Sequence, residues 1–145
     1  MSSTELFYEN IQPLKLRKSI IKKYVNRLIL NELLIPGNLN IIFCTDVHLL
    51  EMNKQYLDHD YYTDILTFNY VEDNKISGDL FISYDRIKEN AENYQTKIKW
   101  EIMRVIFHGV LHLVGYDDKT EAEKEIMRQK EDFYLKEVDF EEIKL

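Results

Sequence analysis

Apolar positions switch between helical and strand periods along this chain, and the switches mark its elements. Leu6-Phe7-Tyr8 reads as a short first strand. Between residue 14 and about residue 34, Leu14, Ile20, Ile21, Tyr24, Val25 and Leu28 recur at helical spacing, and Pro36-Gly37 ends the pattern. Residues 40–45 read as a buried strand, and Asp46 suits the cap of a helix reaching about residue 56. Residues 64–70 and 78–83 are rich in β-formers and flank Glu72-Asp73-Asn74-Lys75, which has turn composition, so they predict a hairpin. Three helices follow, over residues 85–94, 97–114 and 120 to about 136. The order β-α-β-α-β-β-α-α-α predicts an α+β fold, a small mixed sheet covered by helices. The helix over 97–114 is apolar nearly all round, which makes it central. No repeat, linker or low-complexity tract breaks the chain, so residues 1–145 are expected to form a single domain.

Composition narrows the class. A chain of 145 residues supports one domain with a full core, and 45% hydrophobic with 31% charged residues excludes disordered and fibrous classes. The single cysteine, Cys44, has no internal disulfide partner, which fits a reducing compartment. It follows Ile41-Ile42-Phe43 and reads as a buried strand thiol. No apolar run reaches membrane-spanning length, and the first residues lack a signal-peptide pattern, so a cytoplasmic location is expected. A net charge of −7 argues against nonspecific coating of nucleic acid but leaves room for a local basic face. Lys15, Lys18 and Lys22 form such a stripe on the first helix, flanked by Lys23 and Arg27, with no acid before Glu32. Residues 121–142 are acid-rich and are expected to face solvent or a protein partner.

The chemistry concentrates in His108-Gly109-Val110-Leu111-His112-Leu113-Val114-Gly115-Tyr116-Asp117-Asp118. Two histidines four apart share one helix face, and Gly115 can end the helix in a left-handed turn. Asp118 would then swing back beside both imidazoles and complete a three-ligand divalent metal site. Asp117 competes for that third position, or holds an imidazole from behind. The His2Asp set suits Zn2+, while the hard carboxylate leaves Mn2+ or another hard ion open. Arg104 lies on the same face, where it either pairs with a carboxylate or brings positive charge near a phosphate. The spacing is similar to that of metzincin proteases, but Gly109 stands where they need a glutamate base, which speaks against peptide hydrolysis by that route.

The same residues resemble the YbeY family of bacterial rRNA maturation factors, metal-dependent single-strand endoribonucleases. Its motif has the form His-Gly-x-Leu-His-Leu-x-Gly-Tyr-Asp-His, matched here from His108 through Asp117. Tyr62-Thr63-Asp64-Ile65-Leu66-Thr67-Phe68 is similar to the family's Pro-Thr-Asp-Val-Leu-Ser-Phe, and Gly78-Asp79-Leu80-Phe81-Ile82-Ser83 to its Gly-Asp-Ile-x-Ile-Ser strand. The resemblance implies a four-stranded mixed sheet with about five helices and zinc at His108, His112 and Asp118. It also implies a role in small-subunit rRNA processing, 16S 3′-end maturation and ribosome quality control, with RNA and the small ribosomal subunit or its proteins as partners. On that reading Lys15, Lys18, Lys22, Lys23 and Arg27 meet RNA phosphates, and Asp64 is a candidate base, although a turn or cap role fits it equally. Two departures stand out: Asp118 replaces the family's third histidine, and Leu57 replaces an arginine linked to activity, for which neighbouring His59 compensates in part. Leu57 favours an alternative, a non-catalytic, metal-stabilised assembly factor on the small subunit. A metal hydrolase with a non-RNA substrate is the third reading.

Overall fold

The run Leu39 to Cys44 is apolar apart from Asn40, because Leu39, Ile41 and Phe43 are buried on one side of its strand and Ile42 and Cys44 on the other. Asn40 is half-buried and donates to Asp79 at 3.0 Å. In the computed structural model, which describes residues 2–57 and 63–145, this run closes strand β2. The elements are β1 (Ser3–Tyr8), α1 (Lys18–Asn31), β2 (Ile35–Cys44), α2 (Asp46–Leu57), β3 (Ile65–Asn69), β4 (Lys75–Ser83), α3 (Tyr84–Asn93), α4 (Ile98–Val114), α5 (Glu121–Leu135) and α6 (Phe140–Ile143). They build the α+β architecture expected from the pattern, with the short α6 added. The sheet runs β1-β2-β4-β3; β1 and β4 flank β2 in parallel, and β3 closes one edge antiparallel to β4. Leu39, Ile41 and Phe43 face the main core with α1 and α4. Cys44 points the other way, into a smaller cluster with Leu49 of α2 and Leu66 of β3.

The hairpin turn follows from its residues. Asp73 and Asn74 both adopt positive φ, 50° and 64°, and Lys75 N–H donates to the Glu72 carbonyl at 2.8 Å. That is the primed turn whose twist matches paired strands.

Three local expectations are corrected. Helix α1 starts at Lys18 rather than residue 14, because Leu14 and Leu16 pack on the core from an extended lead-in and Leu16 bridges to Lys144. Lys15 therefore lies outside the helix. The helix ends at Asn31, where Leu33 turns left-handed (φ 65°) and Leu34 N–H donates to the Ile29 carbonyl. Pro36-Gly37 does not separate elements: it lies inside β2, where the register with β4 shifts between Pro36 and Leu39. A bulge tolerates a residue without an N–H. Thr45, not Asp46, caps α2, since its hydroxyl accepts from His48 N–H at 3.1 Å. Asp46 instead takes the Arg86 guanidinium at 3.2 Å.

Helix α4 lies against the sheet close enough that a Cβ on Gly109 would sit 2.7 Å from the Ile65 side chain. Glycine there permits the approach, which brings the next turn of α4 beside the start of β3. Among the described residues no helix is long and apolar enough to cross a membrane.

Candidate metal centre

Helical geometry stacks Arg104, His108 and His112 on one face of α4, and Gly115 ends the helix with φ 125°. The chain that follows is pinned at both ends. Tyr116 donates its hydroxyl to Glu32 at 2.6 Å, and Thr120 with Glu123 forms a capping box at the start of α5. Asp118 sits between these anchors and turns back to α4.

Its Oδ2 lies 3.2 Å from His108 Nε2 and 3.4 Å from His112 Nε2, and the two Nε2 atoms are 3.0 Å apart. Tetrahedral zinc with bonds of about 2.0–2.1 Å needs donors roughly 3.3–3.4 Å from one another. The triangle of 3.0, 3.2 and 3.4 Å matches that spacing to within a few tenths of an ångström, so the donor set fits a divalent ion with one face open. Among the described residues this is the one cluster of three or more potential ligands, and Asp117, exposed beside it, is not part of it.

The sequence reading missed Glu131. This residue of α5 is 6% exposed, and its Oε2 lies 2.6 Å from His108 Nδ1. A carboxylate accepts, so a hydrogen on Nδ1 would complete this contact and leave the Nε2 lone pair toward Asp118 and His112. Residues 121–142 were expected to face outward; Glu131 is the acid among them that turns in. Its signal was present in the helical period, because Met127, Tyr134 and Leu135 place the buried face of α5 beside it.

Arg104 resolves toward pairing. Its guanidinium contacts Glu101 at 3.1 Å, Glu131 at 3.4 Å and Asp64 at 3.8 Å. Burial opposes its charge, but Glu101, Glu131 and Asp64 outweigh that and raise its pKa. Glu101, 1% exposed, also accepts from the Thr96 hydroxyl at 2.6 Å. Asp64 lines a cavity with His108 and Asp118, so it stands at the site, hydrogen-bonded by Asn90 at 3.4 Å.

A second cleft is lined by all three potential ligands together with Leu57, Thr63 and Lys119. Lys119 makes no ion pair among the described residues. The departure at Leu57 thus faces the centre, while His59 lies outside the described residues.

The basic stripe is elsewhere. Lys18 pairs with Glu5 at 3.0 Å, Lys23 with Glu142 at 3.3 Å and Arg27 with Glu137 at 3.6 Å. Lys22 donates to the Ser2 carbonyl at 3.1 Å, and Lys15 lines a shallow cavity with Arg17 and Lys144. None of the five lines a cavity that contains a potential metal ligand.

A family model described as Endoribonuclease YbeY matches residues 6–139. The chain is similar to Endoribonuclease YbeY of Cytophaga hutchinsonii, 49% identical over 130 residues, spanning 89% of this chain and 91% of that protein. It is also similar to Endoribonuclease YbeY of Parabacteroides distasonis, 56% identical over 95 residues, spanning 66% and 67% of the two chains. A protein of Thermotoga maritima solved in solution shares the fold, with a TM-score of 0.63 over 92% of this chain and 87% of that one, at 23% identity.

Proposed function

This chain belongs to the YbeY family, and from that premise we propose that it is a metal-dependent endoribonuclease that cuts single-stranded RNA. Its natural task in this reading is 16S rRNA 3′-end maturation in the cytoplasm, on or near the small ribosomal subunit. The observation that carries the activity is the triangle of His108 Nε2, His112 Nε2 and Asp118 Oδ2, open to a cleft on one side. Two imidazoles and one carboxylate suit Zn2+ best, and Mn2+ is the harder alternative.

When bound there, a divalent ion supplies Lewis acidity toward a phosphate oxygen or a water molecule. The protein's own residues do the rest. Glu131 keeps His108 in the tautomer that presents Nε2. Asp64, lining the cavity beside His108 and Asp118, accepts the proton of the attacking oxygen, either water or the neighbouring 2′-hydroxyl. Lys119 meets the phosphate from the cleft, where Leu57 carries no charge. The stripe of Lys15, Lys18, Lys22, Lys23 and Arg27 contacts RNA phosphates distant from the cut, since exposed ion pairs are worth only about 0–1 kcal/mol and exchange readily.

Elemental mass spectrometry of the untagged protein beside His108→Ala, Asp118→Ala and Asp117→Ala, with cleavage of a labelled single strand, tests this. We expect about one zinc per chain, lost in the first two variants and kept in the third, and cleavage that stops with chelator and returns with the ion. Cleavage indifferent to metal, or a metal-loaded protein that leaves RNA intact, overturns the reading.

A further inference from the structure

The metal centre opens sideways into a space that the proposed cleavage does not use. A cavity of about 460 Å3 extends from His108 and Asp118 to the end of α3, the first turns of α4 and the face of α5. Its walls carry two aromatic rings, Trp100 and Tyr94, with the thioether of Met127 beside them. We propose that this cavity is a base-stacking subsite, which takes one unpaired nucleobase of the strand whose phosphate lies at His108, His112 and Asp118. The inference rests on the RNA-cleaving reading above and names how the strand is held.

Charge selects the occupant. The exposed cations on the wall are already engaged along α5, Lys124 with Glu121 at 3.6 Å and Arg128 with Glu125 at 2.9 Å. Asp132 adds a carboxylate, and Glu101 and Glu131 lie behind. The wall sets Lys124, Arg128 and Arg104 against Glu101, Glu131, Asp132 and Asp118, so it offers no excess of positive charge to a phosphate, whereas a neutral, flat base needs none. Aromatic rings stack on any base, so the subsite is tolerant of sequence. Arg104 and Asp132 add a donor and an acceptor for base edges.

Size and access agree with that occupant. The volume falls within the roughly 300–1,000 Å3 of small-ligand sites. It accommodates one nucleoside beside the reacting phosphate. A base locked in a duplex reaches such a space only by unstacking and unpairing, which costs a few kcal/mol. Preference for single strands then arises from this cavity as well as from the metal centre.

Trp100 is the chain's only tryptophan and lines this cavity, so its fluorescence reports on occupancy there. The metal-loaded protein is titrated with a short 2′-O-methyl RNA strand, which resists cleavage, and with an abasic strand of equal length and charge. Overall binding is followed in parallel by anisotropy of a label on the strand. Saturable quenching by the base-bearing strand and none by the abasic one is the expected result. Tyr94 is 70% exposed, so Tyr94→Ala tests the subsite without disturbing the core. It should weaken the quenching titration roughly five-fold or more and raise KM, with metal content retained. Binding without quenching, or equal quenching by the abasic strand, overturns the subsite while leaving RNA cleavage intact. No binding of either strand together with no metal-dependent cutting overturns both readings.

Discussion

The Glu131 carboxylate lies 2.6 Å from Nδ1 of His108 across 23 residues of sequence, joining α5 to the face of α4 that carries both histidines. Metal-ligating imidazoles commonly rely on such a partner, and losing it weakens the ion without abolishing the site. Glu131→Gln is therefore expected to lower metal affinity about 10–100-fold, measured by competition with a chromogenic chelator. Helical circular dichroism should stay unchanged, since the amide still occupies the buried position. Unaltered affinity would remove Glu131 from the centre's support.

Lys119 and the α1 stripe separate on kinetics. Lys119→Ala should raise KM for a single strand and lower the salt dependence of binding by about one phosphate contact, and Lys119→Arg should restore both. Replacing Lys18, Lys22 and Lys23 together should also weaken binding and flatten its salt dependence, yet leave kcat in place. Their pairs with Glu5 and Glu142 are exposed, so the loss of stability should stay within about 1 kcal/mol. An intact KM in the Lys119→Ala protein would end its assignment to the phosphate.

Acid should loosen the loop that carries Asp118. Burial raises the Glu32 carboxyl, but hydrogen bonds from Tyr116, Tyr134 and Lys130 outweigh it and hold the group below its usual 4.5. A depressed folded-state value means stability that is present above pH 4.5 and is lost as pH falls through the lower, folded value. Glu32→Gln is expected to cost about 1–3 kcal/mol near neutrality by leaving donors poorly paired. The gap in melting temperature between the two proteins should stay constant above about pH 5 and narrow below 4.5. A gap that widens in acid contradicts this account.

Cys44 should be inert in the folded protein. Its thiol is fully buried, and burial, followed by the charges of Asp85, Glu9 and Asp46, pushes it up to about 12. Titration with a thiol reagent at pH 8 should show no reaction until denaturant is added, then one thiol per chain. Rapid labelling without denaturant would place Cys44 on an accessible surface.

Sequence spacing determined which residues share a face within one helix or one strand. His108 and His112 had to share a face because 3.6 residues make a turn, Gly115 was free to end that helix, and Asp118 was close enough in chain to return. Strand and helix order followed likewise from periods of two and 3.6. Boundaries were less legible where packing overrode pattern: Leu14 and Leu16 are spaced like helix residues but reach the core from an extended chain, and Pro36 is absorbed by an irregularity in β2. What only the tertiary structure decided is which distant groups meet. It brought Asp118 rather than Asp117 beside both imidazoles, turned Glu131 of an acidic helix onto His108, and surrounded Arg104 with carboxylates from α4, from α5 and from Asp64 just before β3. It also placed Glu142 and Glu137 against the lysine and arginine stripe of α1, away from the centre. Pairings between charges far apart in the chain depend on how helices pack across the sheet, and no local periodicity encodes that.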